Sequence, residues 1–141
     1  MIVLGIDPGE RRIGVAVSDP LGVAARPVRV IEHESLAADV ARLAEIAAAC
    51  KAETIVVGLP LETDGTAGLP ARRARRFANA LRRKSGLEVV LWDERLTSAE
   101  AEKALISAGR RPRDLRQLVD KTAAAVILQD YLDAQHKGVR Q

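Results

Sequence analysis

The sequence predicts an α/β fold: a mixed five-stranded sheet, three antiparallel strands and then two parallel ones, with helices on both faces. Three observations lead there. Before Glu32, three short apolar runs are separated by loops of a few residues, the pattern of an antiparallel meander. After it, apolar runs alternate with helical periodicity, which implies parallel pairing through right-handed crossovers. Hydrophobic residues make up 48% and charged residues 29% of 141, a globular balance for one domain spanning 1–141.

Met1 to Ile6 is the first apolar run, ended by Asp7-Pro8-Gly9. Ile13 to Val17 is the second, ended by Ser18-Asp19-Pro20, and Val28 to Ile31 is a weaker third. Ser35 then caps a helix in which Leu36, Val40, Leu43 and Ala47 recur at spacings of three and four. Thr54 to Leu59 is continuously apolar and β-branched at its centre, which marks a strand buried on both faces. Past the loop Pro60 to Gly65, Pro70 opens a helix whose apolar stripe is Ala74, Phe77, Ala78 and Leu81. Leu87 to Trp92 is the fifth strand, closed by Asp93-Glu94-Arg95. Thr97-Ser98-Ala99-Glu100 has capping-box spacing, and Gly109 stops the helix it opens. A basic connection from Arg110 to Leu118 leads to a last helix over 119–135.

Net charge is +3, but its distribution is uneven. Arg72, Arg73, Arg75, Arg76, Arg82, Arg83 and Lys84 lie in one acid-free stretch, which leaves −4 for the rest of the chain. Arg110, Arg111, Arg113 and Arg116 form a second cluster. Localised positive charge is the footprint expected for a polyanion partner, although a solvated helix face also carries such a run. Aromatic residues are only 2% (Phe77, Trp92, Tyr131), which argues against a single-strand binder that stacks bases on several rings.

Cys50 is the only cysteine, so a disulfide framework is excluded, and its alanine-rich surroundings predict a buried thiol. His33 and His136 lack metal-ligand spacing. The amino terminus enters an apolar strand at once, and no apolar run approaches the ~20 residues of a membrane span, so a cytoplasmic protein is expected.

Three acids end apolar elements: Asp7 after the first strand, Glu94 with its neighbour Asp93 after the fifth, and Asp120 in the first turn of the last helix. Open α/β sheets place ligands at the carboxyl ends of their strands. Three carboxylates meeting there repel one another unless cations intervene. Hard oxygen ligands select Mg²⁺ or Mn²⁺ over zinc, and two such ions about 4 Å apart serve phosphodiester displacement. Each acid also has an ordinary role open to it, as turn residue, surface ion-pair partner or helix N-terminal charge. The glycines from Gly58 to Gly68 lead into the arginine-rich helix. They fit a phosphate cradle and a routine strand-to-helix connection equally well.

Taken together, four blocks carry a resemblance. They are Gly5-Ile6-Asp7-Pro8-Gly9 with Arg12 to Asp19; Ile55 to Pro60 with Asp64-Gly65; Trp92-Asp93-Glu94-Arg95-Leu96-Thr97; and Val119-Asp120-Lys121 with Ala123-Ala124 and Ile127 to Leu132. Over nearly its whole length the chain resembles the YqgF/RuvX family of bacterial pre-16S rRNA processing nucleases and Holliday junction resolvase-like proteins. The resemblance implies an RNase H-like fold, with Asp7, Glu94 and Asp120 as catalytic acids and ligands of two Mg²⁺ or Mn²⁺ ions. Asp93 and Glu62 remain alternatives for the middle ligand, because related resolvases take that acid from the fourth strand, which here ends in Gly58-Leu59-Pro60.

The implied activity is metal-dependent endonucleolytic cleavage of structured nucleic acid, at the 5′ end of pre-16S rRNA. A Holliday junction resolvase acting as a homodimer on branched DNA and a non-catalytic nucleic-acid-binding protein are the alternatives. Arg72, Arg73, Arg75, Arg76, Arg110, Arg111 and Arg113 would track the backbone, and Arg95 would contact a phosphate or pair with a carboxylate. An Asp-x-Gly after a first strand also occurs in actin-like and sugar-kinase-like nucleotide binders, but those need two such domains.

Overall fold

The computed structural model describes residues 1–60, 68–93 and 123–136. In chain order these form β1 (Val3–Pro8), β2 (Arg12–Ser18), β3 (Ala25–Glu32), α1 (Leu36–Cys50), β4 (Thr54–Leu59), α2 (Leu69–Ser85) and β5 (Glu88–Asp93). A further helix, α3, spans 123–136. The strands make one sheet in the order β3-β2-β1-β4-β5. Pairing is antiparallel from β1 to β2 to β3 and parallel from β1 to β4 to β5. The mixed sheet expected from the sequence is therefore present. The helix expected after Thr97 and the connection from Arg110 to Leu118 lie outside the described residues.

Strand alternation divides the core in two. Leu4, Ile6, Val15, Ile55 and Val57 face α1 and α2, where Leu43, Phe77 and Leu81 complete one cluster. Val3, Ala16 and Val56 face α3, against Ala124, Ile127 and Leu128. With helices on both faces, β1 and β4 are buried on both sides and accept only apolar or small residues along most of their length. Ser35 caps α1 by accepting the Ala38 N–H at 3.1 Å. Proline lies in the first turn of α2, and Gly86 ends that helix in a left-handed conformation, φ 71°.

Two strands, β1 and β3, depart from the sequence expectation by more than one residue at a limit. β1 runs on through Asp7 and Pro8, which pair with Gly14 and Ile13. The hairpin is closed tightly by the Gly9 N–H donating to the Arg12 carbonyl at 3.0 Å, so the ladder continues to the turn. A Cβ at Gly9 would sit 2.4 Å from that carbonyl oxygen, so the turn requires glycine. β3 begins at Ala25 and contains Pro27, which an edge strand tolerates. The ladder slips there: Val15 pairs with Arg29 and Ala16 with Pro27, a bulge that takes Val28 out of register. Cys50 is half-buried at the end of α1, because the last residue of the helix overhangs the core instead of entering it.

The connection from β2 to β3 is held by side chains. The Asp19 carboxylate accepts the N–H groups of Val23 and Ala24 at 2.7 and 3.1 Å. Those two donors hold its carboxyl below the usual range. Gln129 of α3 clamps the same segment, accepting the Ala25 N–H at 2.9 Å and donating to the Val23 carbonyl at 2.9 Å.

Candidate active site

Asp7 is the last-but-one residue of β1, at the carboxyl end of the central strand, and is half-buried. Alternation places it with Val3 and Gly5 on the α3 face. Its partner on β2 is Gly14. Continuing the parallel register beyond Ile6↔Val57, its neighbour on β4 is Gly58, which in turn pairs with Trp92 of β5. The carboxylate thus stands between two glycines, in a row where neither adjacent strand contributes a side chain. Trp92 ends that row and packs edge-on against Tyr131 of α3, ring centroids 5.5 Å apart.

The seat of α3 explains Gly5. A Cβ there would lie 2.7 Å from the Leu128 Cβ and 3.2 Å from the Ala124 carbonyl oxygen, so glycine is what lets the helix lie on the strand. Ala124 sits over Gly5, whereas His136, at the far end of α3, reaches the Gly22 carbonyl at 3.0 Å. The helix therefore runs antiparallel to β1, and its amino-terminal part lies toward the Asp7 end of the strand. Burial pushes the Tyr131 hydroxyl above its ordinary pKa, and the Glu88 charge adds to this.

Of the sequence-predicted acids, Asp7 and Asp93 fall in the described residues. They do not share a face. Asp93 alternates with Trp92, which faces α3, and follows Leu91, which packs on the α2 side. Glu94, Asp120 and Glu62 lie outside the described residues, as do Arg95, Arg110, Arg111 and Arg113. Among the described residues no three His, Cys, Asp or Glu side chains cluster as a metal site.

The α2 stripe forms as expected: Ala74, Phe77, Ala78 and Leu81 are buried, and Arg72, Arg73, Arg75 and Arg76 are exposed. Arg73 pairs with Glu10 of the β1–β2 turn at 2.9 Å, which brings α2 to the carboxyl edge of the sheet. Arg82 is committed elsewhere, donating to the Val89 carbonyl from Nε and Nη2 at 3.2 and 2.7 Å.

One pairing has no counterpart in the sequence analysis. Asp39, in the first turn of α1, is 2% exposed and accepts from His33 Nδ1 on Oδ2 at 2.5 Å and from the Glu34 N–H on Oδ1 at 3.0 Å. A histidine just before a capped helix, with an acid in that helix's first turn, was the available signal.

The family model described as "RuvX: Holliday junction resolvase" matches residues 1–134. The chain belongs to the RuvX family. Among its relatives, a Lactococcus lactis subsp. cremoris protein is 46% identical over 134 residues, covering 94% of each chain. An Anaeromyxobacter relative is 47% identical over 136 residues, covering 96% of this RuvX-family chain and 99% of its own. Both carry the name "Putative pre-16S rRNA nuclease". Among solved structures, T. thermophilus RuvC in complex with Holliday junction substrate superposes with a TM-score of 0.60 at 19% identity, covering 96% of each chain. Fowlpox virus resolvase with Holliday junction DNA gives 0.54 at 11% identity, covering 96% and 99%. The RuvX-family sheet is thus the RNase H-like sheet of the resolvases, as the resemblance implied.

Proposed function

We propose that this RuvX-family nuclease uses divalent metal to cleave a phosphodiester bond in structured RNA, at the 5′ end of pre-16S rRNA. The observation that carries the reading is the place of Asp7: a carboxylate at the carboxyl end of the central strand, flanked by glycines, on the face approached by the amino-terminal part of α3. The relatives' names, at 46% and 47% identity over nearly full length, favour rRNA as substrate. No helix among the described residues is long and apolar enough to cross a membrane. A cytoplasmic location follows from the substrate.

Chain position supports Glu94 and Asp120 as the other acids. Glu94 directly follows Asp93, the last residue of β5. Asp120 precedes the first described residue of α3 by three positions. Strand spacing of about 4.8 Å puts β5 about 10 Å from β1 at the backbone, a gap that side chains and ions can bridge. Asp93 is the poorer candidate, because it stands on the α2 side of the sheet.

The oxygen-only donor set fits Mg²⁺ or Mn²⁺, two ions held by Asp7, Glu94 and Asp120. When bound, such ions activate water for in-line attack and neutralise charge on the leaving 3′-oxygen. The chain's own part is to hold three like charges together at a sheet edge and to seat the nucleic acid. Arg72, Arg73, Arg75 and Arg76, with Arg95, Arg110, Arg111 and Arg113, supply backbone contacts that position without specifying sequence. A monomer suffices for this reaction on RNA.

The second reading is a four-way DNA junction, favoured by the family description and by the resolvase folds; it requires a homodimer presenting two sites. Labelled pre-16S precursor rRNA and a four-way junction, each incubated with Mg²⁺, Mn²⁺ or EDTA, separate the two. The expected result is metal-dependent cutting of the rRNA at its 5′ side. Junction cutting alone would transfer the assignment to the second reading. Binding of either substrate without cutting under any metal would make the chain a non-catalytic nucleic-acid-binding protein.

A further inference from the structure

A cavity of about 530 Å³ opens on the opposite side of the sheet edge from Asp7. Its floor is Ile13, Leu36 and Phe77; its rim carries His33, Arg73 and Arg76. Pro8 and Gly9, the two residues after Asp7, also line it. Arg73 and Arg76 are thereby tied to a concave site, while Arg72 and Arg75 do not line it.

The polar groups in it are built, not incidental. Asp39 is buried and holds His33 Nδ1 at 2.5 Å, while the imidazole itself is 43% exposed. A carboxylate oxygen only accepts, so Nδ1 donates to Asp39, and Nε2 is left for another partner, to which it donates when the ring carries both protons. The second carboxylate oxygen is fixed by the Glu34 N–H, which locks the acid and with it the ring.

The charge around this imidazole is unusual for a helix start. α2 has no acid in its first turn and no side-chain cap at Gly68, yet it places Arg72 and Arg73 near its positive end. Glu10 offsets part of this by pairing with Arg73 at 2.9 Å, but both partners are exposed, 77% and 56%, so the pair is a weak latch. Glu34 is drawn to the other side, 4.0 Å from Arg42. Arg76 has an exposed side chain on the rim.

We infer that this cavity is a phosphate subsite, in which His33, Arg73 and Arg76 hold a phosphodiester of the substrate strand beside, and not at, the bond that Asp7 cuts. The inference rests on the nuclease reading for the identity of the strand, though not for the phosphate chemistry. A strand crossing the sheet edge at the β1–β2 turn would reach both sites, since only Pro8 and Gly9 separate them along the chain. The group would displace Glu10 from Arg73 and gain two guanidinium contacts and, from the doubly protonated ring, one Nε2–H contact, all three donated to phosphate oxygens.

The test uses the full chain in EDTA, so that no cutting occurs. Inorganic phosphate is titrated while the His33 imidazole nitrogens and the Gly9, Arg73 and Arg76 amides are followed by NMR, with chloride at matched ionic strength as control. Saturable shifts with phosphate alone are expected, and Arg76→Gln should weaken phosphate binding about tenfold while leaving the rest of the amide spectrum in place. A short single-stranded RNA should move the same signals. Its affinity in Arg76→Gln should fall less steeply with salt, by about one unit of log–log slope. Equal shifts from chloride, an unmoved His33, or unchanged binding in Arg76→Gln would each overturn the inference. Failure of the nuclease reading shows separately, as absence of metal-dependent cutting in a protein whose phosphate titration still saturates.

Discussion

Replacing Gly5 by alanine tests how closely α3 is seated on β1. The added Cβ would sit 2.7 Å from the Leu128 Cβ and 3.2 Å from the Ala124 carbonyl oxygen. Carbon atoms pack best at about 3.5–4.0 Å, so α3 must retreat by about 1 Å, and neither contact is the tip of a flexible side chain. Overpacking of this kind costs about 1–3 kcal/mol. For a chain of this size that is a melting point lower by about 2–10 °C, read by thermal and urea unfolding. Leu128→Ala should not rescue the variant, because alanine keeps the Cβ that clashes; alone it should cost about 2–5 kcal/mol. Cleavage should fall further than stability does, since Asp7 lies two residues along the same face and a displacement of about 1 Å costs about 100-fold in rate. Gly5→Ala with wild-type stability, or rescued by Leu128→Ala, would refute the packing argument.

Two further outcomes follow from buried polar groups. Ser18 is 4% exposed, and its Oγ accepts the Val3 N–H at 2.8 Å and donates to the Asp19 carbonyl at 3.0 Å. Ser18→Ala leaves that N–H buried and unpaired, so unfolding free energy should drop by about 1–3 kcal/mol, with faster hydrogen exchange at Val3; an unchanged urea midpoint would count against it. Tyr131 is the only tyrosine, so its ionisation can be read directly from tyrosinate absorbance. Burial raises its folded pKa above 10.0, so its contribution to stability is complete below that value and is lost as pH rises through the folded pKa. Titration of the folded protein should therefore give a midpoint above that of the urea-unfolded chain, and coincident midpoints would contradict the burial of the Tyr131 hydroxyl.

The succession of strands and helices and the helix stripes were legible because each rests on local periodicity. Leu36, Val40, Leu43 and Ala47 line the core side of α1, and Ala74, Phe77, Ala78 and Leu81 that of α2, as their spacing predicts. Strand limits were less legible because backbone pairing sets them. Asp7 and Pro8 look like a turn, yet the tight Gly9 hairpin keeps them in the ladder, and Pro27 looks like a break until the edge position of β3 is known. The glycines on either side of Asp7 come from strands far apart in the chain, so only register brings Gly14 and Gly58 beside it. Asp93 and Glu94 are indistinguishable in sequence, and alternation sets Asp93 on the α2 side only once Trp92 is known to face α3. The His33–Asp39 contact spans a helix start, where Asp39 reads simply as a first-turn acid.

Paired substitutions at Asp7 and Asp93 test the catalytic face most directly. Asp7→Asn and Asp93→Asn would be compared with wild type for Mn²⁺ binding and for cleavage of labelled pre-16S precursor rRNA. Asp7→Asn should remain folded, bind Mn²⁺ more weakly and lose more than about 100-fold of cleavage, the upper range for loss of an outer-shell partner of a metal ligand. Asp93→Asn should keep most of both. Full cleavage by Asp7→Asn, or a loss confined to Asp93→Asn, would contradict the assignment of the α3 face as the site of the reaction.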